Sequence, residues 1–250
     1  MTRAFWVLLQ REFGAFLLSP LAYVVFFCLT FINAGLFYFC VSFIERGVPN
    51  YTIIQIFFLI PFFWFCVIPL APILTMRLFS EEYRAGTIEL LMTAPVTDWD
   101  VILSKFFGAL GFFAVLWTPT ALFLGIFQSI THHAVPISWG STLLCYLMVV
   151  FLGMLYTAIG LYASSLSRSQ AVAAFLSFAI IIGLFIASFV VFFNNSTEVA
   201  DLVNIFSARR HMETFADGIF DSRVAVWYLS STALFLALTQ RVLAAKRIKA

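Results

Sequence analysis

The chain has 250 residues, of which 63% are hydrophobic and 10% charged, with mean hydropathy +1.03; soluble domains carry about 25% charge, so water is excluded as the solvent for most of it. Its net charge of +2 is small and dispersed, leaving no basic stripe for nucleic acid. Cys28, Cys40, Cys66 and Cys145 all fall in apolar runs without a C-x-x-C pair, which makes them small buried hydrophobes and excludes a disulfide or thiolate-metal framework.

The first long apolar run begins near Leu21, exceeds the core of a signal peptide and lacks a convincing cleavage site, so no cleaved leader is expected. Before it, Phe5, Leu9, Phe13 and Phe16 recur at helical spacing, with Trp6 and Leu17 broadening the stripe and Glu12 at its edge. This predicts a helix over 3–17 lying in the membrane interface, broken at Ser19-Pro20, where the chain turns into the bilayer. Uncharged stretches then cover 13–44, 47–76, 106–167, 169–197 and 224–240. A crossing takes roughly 20 apolar residues, and 106–167 is long enough for two, with His132-His133-Ala134-Val135-Pro136 at the bend. Six spans follow, at about 21–44, 53–76, 105–128, 140–163, 171–193 and 224–243. The fold expected is an all-α membrane protein in which 1–250 forms a single transmembrane domain.

Within the spans, Pro61, Pro69 and Pro72 predict kinking of the second. Gly153, Thr157, Gly160 and Ser164 form a small-residue face on the fourth, as do Gly183 and Ala187 on the fifth, and such faces mark close helix packing. Ionisable groups are missing at mid-depth, which speaks against a proton- or ion-coupled carrier.

Two polar segments stand apart. In 77–104, Ser80-Glu81-Glu82-Tyr83-Arg84 predicts a short charged helix, Gly86 a break, and Thr87-Ile88-Glu89-Leu90-Leu91-Met92 a second helical piece ended by Pro95; Thr97 and Asp100 make a capping box for the third span. The apolar patch at Leu90-Leu91-Met92 suits either a docking surface or side chains resting on lipid headgroups. In 194–223, Val199, Leu202, Val203 and Phe206 are followed by Arg209, Arg210, His211 and Glu213, then by Phe215, Ile219 and Phe220, which predicts an amphipathic or re-entrant segment. His211 reads as an ordinary interfacial side chain before a proton carrier. Arg3, Arg11, Arg77, Arg84, Lys105, Arg168, Arg241, Lys246, Arg247 and Lys249 make ten charges on one side against four, Arg46, Arg209, Arg210 and Arg223, on the other, so the positive-inside rule puts both termini, 77–104 and 164–170 in the cytoplasm.

No G-x-x-x-x-G-K-[ST] occurs around Lys105, Lys246 or Lys249, and no H-E-x-x-H, G-x-S-x-G or cysteine-histidine spacing is present. The chain is therefore expected to be non-catalytic and to bind no cofactor itself.

Three stretches carry a resemblance: Arg11-Glu12 with Ser19-Pro20-Leu21-Ala22-Tyr23; the run from Met76 through Ser80-Glu81-Glu82-Tyr83-Arg84-Ala85-Gly86-Thr87 to Thr97; and Arg210-His211-Met212-Glu213-Thr214-Phe215 through Arg223. In these, and in its six-span plan, the chain resembles permease subunits of type-2 ABC exporters, in particular the GldF-like branch named from gliding motility. The resemblance implies a multi-pass protein of a bacterial inner membrane, with two permease chains around a pathway and separate nucleotide-binding ATPase subunits that use the ATP. It also implies that 3–17 is a connecting helix and that 81–92 is the coupling segment. Glu81, Glu82 and Arg84 would orient the ATPase contact, Leu90 and Met92 would fill it, Gly86 would permit the bend, and Thr87 and Glu89 would belong to the same surface. Residues 194–223 would close the exit. A different reading of the same fold is a membrane scaffold or mechanotransmitter whose ATP-driven motion acts on a periplasmic partner.

Overall fold

The structure is a computed structural model and describes residues 3–45, 52–87, 96–130, 138–187 and 205–247. Among the described residues the secondary structure is helical, with no strand. Helix α1 (Arg3–Leu18) is followed by α2 (Pro20–Glu45), α3 (Ile53–Leu59), α4 (Pro61–Thr75) and the short α5 (Ser80–Ala85). Then come α6 (Asp98–Leu116), α7 (Thr118–Ile130), α8 (Trp139–Leu166), α9 (Gln170–Ala187), α10 (Ala208–Ala216) and α11 (Ser222–Arg247). Among the described residues, five helical stretches are by length and composition long and apolar enough to cross a membrane: Pro20–Ile44, Pro61–Ala85, Asp98–Ile130, Trp139–Leu166 and Gln170–Ala187.

The second and third expected spans are not single rods. Ile60 is extended at φ −66° and ψ 142°, the conformation that a following proline imposes, so the break falls at Ile60-Pro61. Pro61 starts α4 where a missing N–H costs least, and Pro69 and Pro72 are carried inside a continuous helix. The other break falls at Trp117. Pro119 has no N–H to give to Val115 four residues back, and the Thr118 hydroxyl donates to that carbonyl instead at 2.8 Å. The Thr120 hydroxyl donates to the Trp117 carbonyl at 2.6 Å, so the joint between α6 and α7 is satisfied without water.

Helix α8 is the hub. It packs against α4, α6, α9, α10 and α11, and residues Cys145, Met148, Leu152 and Ile159 on it are fully buried. The predicted small face is what permits this. A Cβ on Gly153 would lie 2.6 Å from the Phe113 ring, and one on Gly160 would lie 1.9 Å from Thr75 Oγ1. Gly183 meets nothing comparable among the described residues, so its partner is not within this chain's described packing. Helices α2 and α9 instead turn large side chains outward, with Phe31 81% and Phe175 76% exposed. Apolar surface of this kind suits lipid or another apolar helix.

Helix α11 falls outside the five apolar stretches because Trp227, Tyr228, Ser230, Ser231, Thr232 and Gln240 dilute its hydropathy. Its 26 residues nonetheless extend about 39 Å, beyond the roughly 30 Å of hydrocarbon. Tyr228, Leu236 and Leu243 bury against the hub, with Phe151 stacked on Tyr228 at 6.1 Å between centroids.

Candidate functional site

The densest polar structure lies where α1, α5 and α6 converge. Thr97 accepts from the Asp100 N–H and the Asp100 carboxylate accepts from the Thr97 N–H, so the expected capping box is formed and α6 starts at Asp98. The start of α6 ahead of 105 carries Lys105 into the body of the helix, where its side chain is 3% exposed. Its ammonium donates to Glu12 Oε1 at 3.1 Å and to Glu82 Oε1 at 2.8 Å. Arg11 donates to the same Glu12 oxygen at 2.8 Å.

Helix α1 reaches this position because α6 offers it glycines. A Cβ on Gly108 would lie 3.0 Å from the Glu12 Cβ, and one on Gly111 would lie 3.2 Å from the Phe13 ring. Phe16 stacks on Phe112 at 5.3 Å, and Phe5 meets Phe107 edge-on at 6.4 Å. The packed face of α1 thus includes Glu12, while Trp6, Val7 and Leu18 point away.

On the far side, Ser164 of α8 organises the turn between α4 and α5. Its hydroxyl accepts from the N–H groups of Phe79 and Ser80 at 3.0 and 3.1 Å and donates to the Met76 carbonyl at 3.2 Å. Ser80 also donates to Met76 O. Lys246 of α11 donates to the Ser165 carbonyl at 2.7 Å and lies 3.9 Å over the Tyr83 ring. Burial, reinforced by the Arg168 charge, holds its ammonium below the ordinary lysine value. Helix α5 is therefore clamped between α8 and α11 on one side and the ion cluster on the other.

The electrostatics of the cluster are set by burial. Burial would raise the Glu12 carboxyl, but the Lys105 charge together with hydrogen bonds from Arg11 and Lys105 holds it below its ordinary value. The stability this group contributes is present above its ordinary value of 4.5 and lost as pH falls through the lower folded value. Melting followed by tryptophan fluorescence at stepped pH is expected to show this loss in the wild type. In Glu12→Gln that part of the pH dependence should be absent; an unchanged profile would remove Glu12 from the account.

Of the residues singled out from sequence, Glu81, Arg84 and Thr87 are exposed on or just beyond α5. Gly86 ends α5 in the left-handed region at φ 72°, which only glycine adopts without strain. Glu82 differs from the expectation that it faces a partner, since one of its oxygens is committed inward to Lys105. Glu89, Leu90 and Met92 lie outside the described residues. In the other segment, most of the expected 199–206 periodicity also lies outside them, but α10 is strongly two-faced. Arg209 and Arg210 are exposed, and Arg210 pairs with Glu213 at 3.0 Å. Phe215 is fully buried, and His211 packs against Trp227 and Tyr228 at 5.9 and 5.8 Å. Gln55 of α3 donates to Asp217 at 2.9 Å, fixing the end of α10 to the start of α3.

Sequence reasoning missed Lys105 and Glu12 as partners. The available signal was a lone lysine followed by an uncharged run from 106 to 167, since a charge entering such a run needs a counter-charge.

Among known families, the model of one described as ABC-2 family transporter protein matches residues 33–248, which includes Glu82 and Lys105 but not Glu12. No curated protein matches the chain.

Proposed function

The chain belongs to the ABC-2 transporter family and is a multi-pass permease component of an ABC transporter; from that premise we propose that it is driven by a separate nucleotide-binding ATPase subunit docking on 77–104. In this reading the chain works as an exporter permease of the GldF-like kind in a bacterial inner membrane. It dimerises with a second permease chain and has both termini and 77–104 in the cytoplasm. Helix α1 is the interfacial connecting helix, α11 is the sixth span, and 194–223 closes the outer end. The whole of 1–250 acts as one transmembrane domain, and ATP is used by the partner.

The observation that carries the coupling is the Glu12–Lys105–Glu82 cluster. It ties the helix beside the docking surface to α1 and to the long α6 through contacts of 2.8 and 3.1 Å, so a displacement of α5 is passed to both. The two jobs of the segment then separate. The exposed outer surface of α5, with Arg84 at its centre, meets the ATPase, and Glu82, turned inward, transmits.

Arg84→Glu is expected to lower recovery of the ATPase subunit with the purified permease by about tenfold, the effect of roughly 1.4 kcal/mol lost at an interface. Glu82→Gln should leave that recovery near wild type while reducing permease-stimulated ATP hydrolysis. Leu90→Asp should behave as Arg84→Glu does. Full assembly and full stimulation in all three would defeat the coupling assignment.

A further inference from the structure

A cavity of about 290 Å³ opens beside the ion cluster, between α1, the start of α2, the end of α4, and α5. Its walls are of two kinds. Leu21, Ala22 and Ile73 make an apolar side at the ends of membrane-spanning helices, whereas Arg77, Glu81 and Glu82 make a polar side. Two buried polar atoms among these have no hydrogen-bond partner among the described residues: Arg77 Nε, a donor, and Glu82 Oε2, an acceptor. Leaving such atoms unpaired is costly, and a ligand carrying both an acceptor and a donor would satisfy both.

The charges narrow the ligand further. Lys105 is already held between Glu12 and Glu82, so among the described residues Arg77 is left as a positive group without an ion-pair partner and Glu81 as a negative one, beside the open oxygen of Glu82. A pure anion meets the two carboxylates and a pure cation meets Arg77, but a zwitterion suits both. The volume, roughly ten water molecules, exceeds any single ion. The location, at the mouth of two spans with Ile73 37% exposed, places the apolar side toward acyl chains.

We infer that this cavity binds a membrane amphiphile with a zwitterionic head, its phosphate on Arg77 and its primary ammonium on Glu81 and Glu82, with the glycerol region against Leu21 and Ile73. A primary ammonium donates three hydrogen bonds and a quaternary one none, so phosphatidylethanolamine is the preferred occupant over phosphatidylcholine. The inference takes only the membrane placement of the chain from the functional reading, and its test contains no ATPase, so its failure leaves the coupling proposal standing.

The test is native mass spectrometry of the full-length protein equilibrated with equal amounts of phosphatidylethanolamine, phosphatidylcholine and phosphatidylglycerol of matched acyl chains. Retention of phosphatidylethanolamine about tenfold above each of the others is expected, with Glu81→Gln collapsing its advantage over phosphatidylcholine and Arg77→Gln lowering retention of all three. Ile73→Trp, at a partly exposed position, should close the cavity and abolish retention while the protein still elutes as a single species. Equal retention of the three lipids, or retention unchanged by Ile73→Trp, would overturn the inference. So would displacement of the lipid by soluble phosphoethanolamine at matched concentration, since it would show that the head alone and not an amphiphile is recognised.

Discussion

Lys105→Met is expected to destabilise the protein by about 3–5 kcal/mol, the cost of leaving buried charge without its partner. The variant keeps the apolar stem and loses only the ammonium, so packing on α6 changes little. What changes is that Glu12 and Glu82, 11% and 19% exposed at their side chains, face each other without the cation between them. Arg11 remains near Glu12 but is itself 56% exposed and cannot fill the vacated space. The loss should therefore appear as detachment of α1 and α5 as well as a lower melting temperature, read as faster proteolysis of the N-terminal helix in detergent. A triple variant, Glu12→Gln with Lys105→Met and Glu82→Gln, should regain much of the stability, because a buried cluster replaced whole by neutral groups avoids the uncompensated charge. Recovery of stability without recovery of stimulated ATP hydrolysis would separate holding the fold from transmitting motion.

The second large effect is expected at Gly160. Substituting valine there should cost about 1–3 kcal/mol or more, since insertion into a packed contact forces backbone movement. The obstruction is specific: the new Cβ would stand 1.9 Å from Thr75 Oγ1 and 2.7 Å from Thr75 Cβ. Thr75 is fully buried and its hydroxyl donates to the Ala71 carbonyl at 2.7 Å, so it has no free rotamer to retreat to. For the same reason Thr75→Ala is expected not to rescue Gly160→Ala, as the Thr75 Cβ is itself too close, whereas Thr75→Gly should relieve the clash at the expense of helix propensity. Thermal unfolding of the four variants decides this. Gly160→Val melting with the wild type would mean that α4 and α8 do not pack as described. The contact sits one turn before the Met76–Ser80 turn that Ser164 holds, so separating α4 from α8 should also loosen α5.

What the sequence showed well was local. The Thr97–Asp100 box, the left-handed end at Gly86, and the small face at Gly153 and Gly160 each depend on residues within a turn or two, and each is found where the spacing put it. In 194–223 the expected periodicity lay at Val199 to Phe206, whereas the two-faced helix described is 208–216, with Arg209 and Arg210 exposed and Met212 and Phe215 buried. Breaks in the second and third spans were harder. Three prolines in one span all look like kinks, and only the residue before Pro61 actually leaves the helix; Pro119, whose lost hydrogen bond is replaced by Thr118, gave no warning because an intact partner is available one residue away.

That Lys105 needs a counter-charge was legible from the uncharged run behind it, but which carboxylates supply it was not. Glu12 and Lys105 are 93 residues apart and Glu82 and Lys105 are 23 apart, and no periodicity connects them. From the sequence Lys105 counts only as one of the charges that orient the chain, and placing Glu12 at the edge of its apolar stripe rotated α1 slightly from the face that Gly108 and Gly111 select. Helix α11 shows the converse limit. Its hydropathy is diluted, so it falls outside the five apolar stretches although its 26 residues are long enough to cross.

Docking of an ATPase on the exposed surface of α5 is the step of the proposed function open to the most direct measurement. A photo-crosslinking amino acid at Arg84, with Arg210 on the other polar segment as the control, tests it in native membranes. An adduct from Arg84 to a nucleotide-binding subunit is expected, its yield changing with added ATP, and none from Arg210. Capture of that subunit from Arg210, or of only externally applied proteins from Arg84, would contradict it.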